Sequence, residues 1–220
     1  MMMLRIFFCL LLWSQCVWSQ NPPEDDYRED QIFLGISYPF LANGSPDITQ
    51  NKFSHALQAG FVRDMPLNTR RNFALGLGLG FSYNVIYNNL RFLEESESFE
   101  LISNVDTNLW KWTELNVPIE LRWRTSSTEV YKFWRIYGGI TAFYTLNARQ
   151  NYRKDDETSR FSDLSLEKFR FALHFSVGNN TWNIYFQHPL APMFKKSQIA
   201  ENDLIKDLGN AKIGLIFYVF

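Results

Sequence analysis

The chain has 220 residues, 46% of them hydrophobic and 17% aromatic, with 22 Lys and Arg against 23 Asp and Glu and a formal net charge of −1. That is one domain's length, too apolar for intrinsic disorder and too evenly charged for a general nucleic-acid binder. Twenty Phe, ten Tyr and seven Trp accompany a mean hydropathy of only −0.23, so apolar and polar residues must be segregated finely. Beyond the first segment no run reaches the ~18 apolar residues of a membrane helix, which excludes a helical membrane protein.

Residues 1–19 read as a secretory signal peptide: Arg5 near the start, an apolar run from Ile6 to Trp13, and small residues before a cut between Ser19 and Gln20. Cys9 and Cys16 both lie inside it, so the exported chain carries no thiol and a cysteine-stapled secreted scaffold is excluded. Lipidation at Cys16 fits poorly with Trp13, Ser14 and Gln15 before it. Residues 20–30 hold Glu24, Asp25, Asp26, Glu29 and Asp30 against Arg28, and read as a solvated periplasmic segment.

From 31 to 220 the pattern has period two. Strands are expected near 31–40, 53–64, 72–87, 111–124, 133–147, 167–178, 182–188 and 210–220. In the third, Phe73, Leu75, Leu77, Leu79, Phe81, Tyr83, Val85 and Tyr87 share one face, while Ala74, Gly76, Gly78, Gly80, Ser82 and Asn84 share the other. The fourth sets Thr113, Leu115, Val117, Ile119, Leu121 and Trp123 against Glu114, Asn116, Pro118, Glu120, Arg122 and Arg124. In the eighth strand the phase stays open: either Ile213, Leu215, Phe217 and Val219 face outward, or a bulge turns Tyr218 and Phe220 there.

Eight strands are an even number, and their connections alternate. Those at 41–52, 88–110, 148–166 and 189–209 are long; those at 65–71, 125–132 and 179–181 are short. The fold class expected is therefore all-β, an eight-stranded antiparallel transmembrane barrel of the outer-membrane type, with long extracellular loops and short periplasmic turns. A soluble barrel with an apolar interior is the rival. Gly76, Gly78 and Gly80 decide against it: facing water they would weaken a strand for no return, but inside a narrow barrel they make room for bulky neighbours. Leu75, Leu77, Leu79, Phe81, Leu115, Val117, Ile119 and Leu121 then face lipid. Trp123, Trp134 and Trp182 mark the short-turn interface, and Tyr87, Trp110, Trp112 and Tyr144 the long-loop interface.

The polar face collects Glu114, Glu120, Arg122, Arg124, Arg135, Arg170, His174 and Lys212, with Gln58, Asn183, Tyr185 and Gln187. Eight strands enclose space for side chains only, so a salt-bridged plug is expected, with a gated conduit as the alternative. Pro118 lacks a ladder donor and is read as a bulge in preference to a gate. His174 and Ser176 share an inward face but lie too deep for an outer-leaflet lipid, leaving His55 and His188 as rim candidates for an enzyme reading. No cluster has metal-ligand spacing, and the glycines lack the helix of a phosphate loop, so neither catalysis nor cofactor is expected. The second long loop carries Glu94, Glu95, Glu97, Glu100 and Asp106 interspersed with Phe92, Leu93, Phe99, Leu101 and Ile102. That is more apolar surface than a solvent loop needs, suited to folding over the rim or to contacting a protein.

Three stretches, ELNVPIELRWRTSS from Glu114, YKFWRIYGG from Tyr131 and WNIYFQHPLAPMF from Trp182, resemble the PorT family of Bacteroidetes outer-membrane β-barrels. That family is associated with type IX protein secretion and, in gliding relatives, with motility. The resemblance implies an outer-membrane accessory without catalytic residues, acting through secretion-system proteins as partners and taking no small-molecule substrate. Structural or adhesive use of the long loops, and a lipid-modifying enzyme, are the competing functions.

Overall fold

A computed structural model describes residues 30–50, 52–93, 96, 98–103, 105–125, 134–197 and 203–219. The signal peptide at 1–19, the acidic segment up to Glu29, the turn at Ser126, Ser127 and Thr128, the acids Glu94, Glu95 and Glu97, and the terminal Phe220 lie outside the described residues. In chain order the strands are β1 (Gln31–Ala42), β2 (His55–Pro66), β3 (Phe73–Tyr87), β4 (Leu90–Leu93), β5 (Ser98–Leu101), β6 (Thr107–Arg124), β7 (Trp134–Lys154), β8 (Glu157–Phe161), β9 (Phe169–Asn179), β10 (Trp182–Pro189) and β11 (Gly209–Val219).

Eight of these close a barrel. The order β6-β3-β2-β1-β11-β10-β9-β7 is completed by the β6–β7 pairing, and every neighbouring pair is antiparallel. Closure leaves no open edge among the eight, which satisfies backbone polar groups in a medium that offers no water. β8 extends the β7 ladder at the long-loop end, and β4 and β5 form a separate hairpin there. The tight ends use left-handed non-glycine residues where chain direction reverses: Asp155 (φ 48°) between β7 and β8, and Asn180 (φ 56°) between β9 and β10.

The alternation read from sequence maps onto two surfaces. Leu77 (48% exposed), Leu79 (60%) and Leu121 (66%) lie outward with Phe81, Leu115, Val117 and Ile119, and Leu75 is half-exposed on the same face. Trp134 and Trp182 are exposed at the short-turn end, with Trp123 half-buried beside them. The open phase of β11 resolves toward Ile213, Leu215 and Val219 outside, with Ile216 and Tyr218 buried inside. Its pairings with β1 and β10 run without a register shift. The inward glycines are required by close approach: a Cβ on Gly76 would stand 2.8 Å from Cδ of Arg122, and one on Gly80 would strike the side chain of Asn116.

Three expectations are corrected. Trp110 and Trp112 are not part of the outer girdle; both are fully buried on the inward face, as their even positions in β6 dictate. Pro118 is not a bulge. It sits in unbroken register opposite Thr141, and its missing N–H coincides with a lapse in the β3–β6 ladder between Leu77↔Ile119 and Gly80↔Asn116. The register shift lies instead between Thr113 and Glu114, where β7 carries Leu146 as an extra residue. Third, β6 begins at Thr107 and β7 runs to Lys154, so two of the long loops are largely strand.

Candidate functional site

The lumen is where buried charged side chains converge among the described residues. Glu114, Glu120, Arg122, Arg124, Arg135, Arg170, His174 and Lys212 all point into it, and each is less than 9% exposed. They are brought together from β6, β7, β9 and β11, because inward positions on neighbouring strands stack at similar heights.

Towards the short-turn end the hub is Asp64, a residue at the end of β2. Its Oδ1 accepts from Nη1 of Arg122 at 2.8 Å and its Oδ2 from Nη1 of Arg124 at 2.9 Å, and all three side chains are essentially without solvent contact. Each guanidinium nitrogen of Arg122 has an acceptor: besides Nη1 on Asp64, Nε donates to Oε2 of Glu120 at 3.0 Å and Nη2 donates to Oε1 of Gln31 at 2.7 Å, and the guanidinium lies 4.2 Å from the Tyr137 ring centre. Tyr218 flanks it at 5.4 Å. A planar cation with a fork of donors suits such a site, since every donor buried here must find an acceptor or a π face.

Towards the long-loop end the hub is Glu114. Its Oε1 accepts from Nδ2 of Asn84 (3.1 Å) and Nζ of Lys212 (3.2 Å), and its Oε2 from Nε1 of Trp112 (3.0 Å) and Nη2 of Arg170 (2.5 Å). Between the hubs lies a cavity of about 20 Å³ bordered by Asn116, Pro118, Phe143 and Tyr185. A volume of that order holds about one water molecule.

Glu120, His174 and Thr141 line the same cavity in a chain resembling an acid, a base and a nucleophile: His174 Nε2 is 3.3 Å from Glu120 Oε1, and its Nδ1 is 2.8 Å from Thr141 Oγ1. The hydroxyl against His174 is thus Thr141's on the neighbouring strand. Ser176 is buried on the same inward face as His174, as the alternation placed it. The space beside this chain is about that of one water molecule. His55 is half-buried at the start of β2, and His188 is exposed at the end of β10 with its ring 6.5 Å from that of Phe186. Among the described residues no group of three or more His, Cys, Asp or Glu could hold a metal.

Above Glu114 the lumen is closed by a second, apolar structure. Trp110, Phe99 and Phe194 meet edge to face, with centroids 4.7 to 6.2 Å apart, and Phe92 packs on Phe99 at 5.0 Å. Leu90, Leu164, Leu166, Met193, Ile205 and Leu208 complete this core from four separate segments of chain. Backbone bonds string Met193 to Lys195 across the mouth, Met193 N donating to Leu208 O at 2.8 Å and Lys195 N to Ser165 O at 3.1 Å. Phe92 and Phe99 are therefore spent inside the cap, and the partner-contact reading of the loop does not extend to them. Leu101 remains exposed.

Sequence reasoning passed over Asp64, Gln31 and the cap residues Met193 and Phe194, and placed Asn84 on the inward face without a partner. Asp64 carried a signal, being in phase with inward Val62; of the cap, the apolar residues of the second long loop had pointed to folding over the rim, and Phe92 and Phe99 do so, while Met193 and Phe194 carried no signal, being far from them in the chain.

A family model described as outer membrane protein beta-barrel domain matches residues 14–195. A comparison with curated proteins found no match. With the closed antiparallel barrel, its apolar exterior and its polar lumen already established, the chain belongs to the outer membrane protein beta-barrel domain family.

Proposed function

We propose that this chain is a PorT-like accessory barrel of type IX protein secretion, working through protein partners, without catalysis and without an open pore. The observation that carries the reading is the double closure of the lumen: a cluster of buried ion pairs across the barrel and an apolar cap over its mouth. A barrel sealed twice offers cargo no path, so a role in transport has to run through contact surfaces. Each of the stretches that resemble the PorT family contributes residues to the seals. Glu114, Glu120, Arg122 and Arg124 come from the first, Arg135 and Tyr137 from the second, and Met193 and Phe194 from the third. Contact surfaces on this reading are the acidic segment at 24–30, the turn at 125–132 and the exposed parts of the cap.

The test is a clean deletion. Cargo of a type IX route should accumulate in the periplasm while the outer membrane stays intact, and crosslinkers at the three contact regions should capture secretion components. Normal secretion in the deletion strain would refute the assignment. It would favour the structural or adhesive reading, which draws on the folded cap as a fixed platform at the long-loop end.

A further inference from the structure

Just beyond the lipid-facing band at the long-loop end, two like charges stand side by side. On β6 the outward positions run from Leu115 through Thr113 to Lys111, and on β7 from Leu146 to Arg149, which is exposed. Lys111 and Arg149 are direct cross-strand partners. Such partners place their Cβ atoms about 5 Å apart, and like charges in that position repel. Lys111 is half-buried, and Arg160 on β8, opposite Asn151, adds a third cation, exposed like Arg149, at the next outward step. Among the described residues none of the three makes an ion pair; the neighbouring Asp106 is taken by Arg153 at 3.8 Å. Tyr87, Tyr144 and Phe169 form an aromatic rim nearby, Tyr144 and Phe169 with centroids 4.9 Å apart. Cations set at the edge of an aromatic girdle are at headgroup depth.

We propose that Lys111 and Arg149, extended by Arg160, bind the phosphate of a phosphorylated outer-leaflet glycolipid. Long loops lie on the outer side of barrels of this type, which puts the patch at the outer leaflet. An anion bridging the pair turns repulsion into charge-assisted hydrogen bonds, and its acyl chains lie on the apolar band formed by Leu115, Val117 and Leu146. The inference does not depend on the secretion role.

Native mass spectrometry of the full barrel, released from a non-ionic detergent with bis-phosphorylated lipid A, tests it. The wild type should retain the lipid, and the Lys111→Gln, Arg149→Gln double variant should bind it roughly tenfold more weakly or worse, given what hydrogen bonds to charged groups contribute. Dephosphorylated lipid should be lost from the wild type, and an excess of inorganic phosphate should not displace the intact lipid. Arg63→Gln, which alters an outward arginine near the short-turn end, should bind normally. Heat-dependent gel migration reports folding; were the double variant unfolded, Arg149→Gln alone supplies the comparison, since that side chain points away from the lumen. Equal retention by the folded variant, equal retention of dephosphorylated lipid, or displacement by inorganic phosphate would each overturn the proposal.

Discussion

Gln150 holds Phe92 by both ends of its side-chain amide: Oε1 accepts from the Phe92 backbone N–H at 2.8 Å, and Nε2 donates to the Phe92 carbonyl at 3.1 Å. One inward side chain of β7 thus acts as a short strand for the β4–β5 hairpin, which is also held by Asn108 Nδ2 donating to the Leu90 carbonyl at 2.9 Å and by the Arg91–Glu157 ion pair at 2.8 Å. The same Oε1 accepts from Nε1 of Trp110 at 3.2 Å, so the cap and the barrel wall share a single amide. Replacing Gln150 with Leu should leave these buried groups unmatched at about 1–3 kcal/mol each. Limited proteolysis should then cut the 88–106 region faster, while heat-dependent gel migration of the barrel stays as in the wild type. Unchanged protection of that region would mean that the cap does not depend on the Gln150 amide.

Asp64→Asn removes the carboxylate that Arg122 and Arg124 share. Leaving a buried charge without its partner costs about 3–5 kcal/mol, whereas Asp163→Asn at an exposed position should stay within about 0.5 kcal/mol. Urea unfolding of the barrel in lipid vesicles measures both. Equal stabilities for the two variants would show that the hub does not hold the strands together.

Leu77→Arg places a charge on the apolar exterior and should destabilise the inserted barrel by about 2–4 kcal/mol if that position lies near the midplane. Gly78→Arg points inward, where the ring of Pro118 already stands 2.8 Å from the site of a Cβ, so its harm comes from crowding. Insertion yields into vesicles compared for Leu77→Arg and the wild type would expose a wrong face if they matched.

Orientation is tested by labelling. Asp155 turns the tip of the β7–β8 hairpin at the long-loop end, and Thr69 lies in the short connection between β2 and β3. A cysteine at 155 should react with a membrane-impermeant reagent on whole cells and one at 69 should not. The opposite pattern would invert the barrel.

Most of the fold was legible because strand alternation is a local property, and the outward face of β3 and β6 could be read residue by residue. It failed where alternation itself breaks. In β7 the inward parity runs odd through Thr145; then Leu146 and Asn147 both lie outward, and Ala148, Gln150 and Tyr152 resume on even positions. That phase flip makes the strand look finished at 147 when it continues to Lys154. Trp110 and Trp112 show a different failure: an expectation about where aromatic residues belong in a membrane overrode the phase that already placed them inside. The ion-pair residues were visible as an inward set, but which acid meets which base was not, because Asp64 reaches Arg122 across strands β2, β3 and β6. The excess of apolar residues in the second long loop showed that it could fold over the rim, but not what it would meet there, since Phe99 and Phe194 touch across nearly a hundred residues of chain.

The closed lumen is tested most directly by single-channel recording of the purified barrel in planar bilayers, for the wild type and for a variant with β4 and β5 replaced by a short glycine-serine linker. Both should be electrically silent, because with the cap weakened the ion pairs around Asp64 and Glu114 still fill the cross-section. Steady, reproducible openings in the wild type would contradict the sealed barrel and with it a role exerted only through contacts.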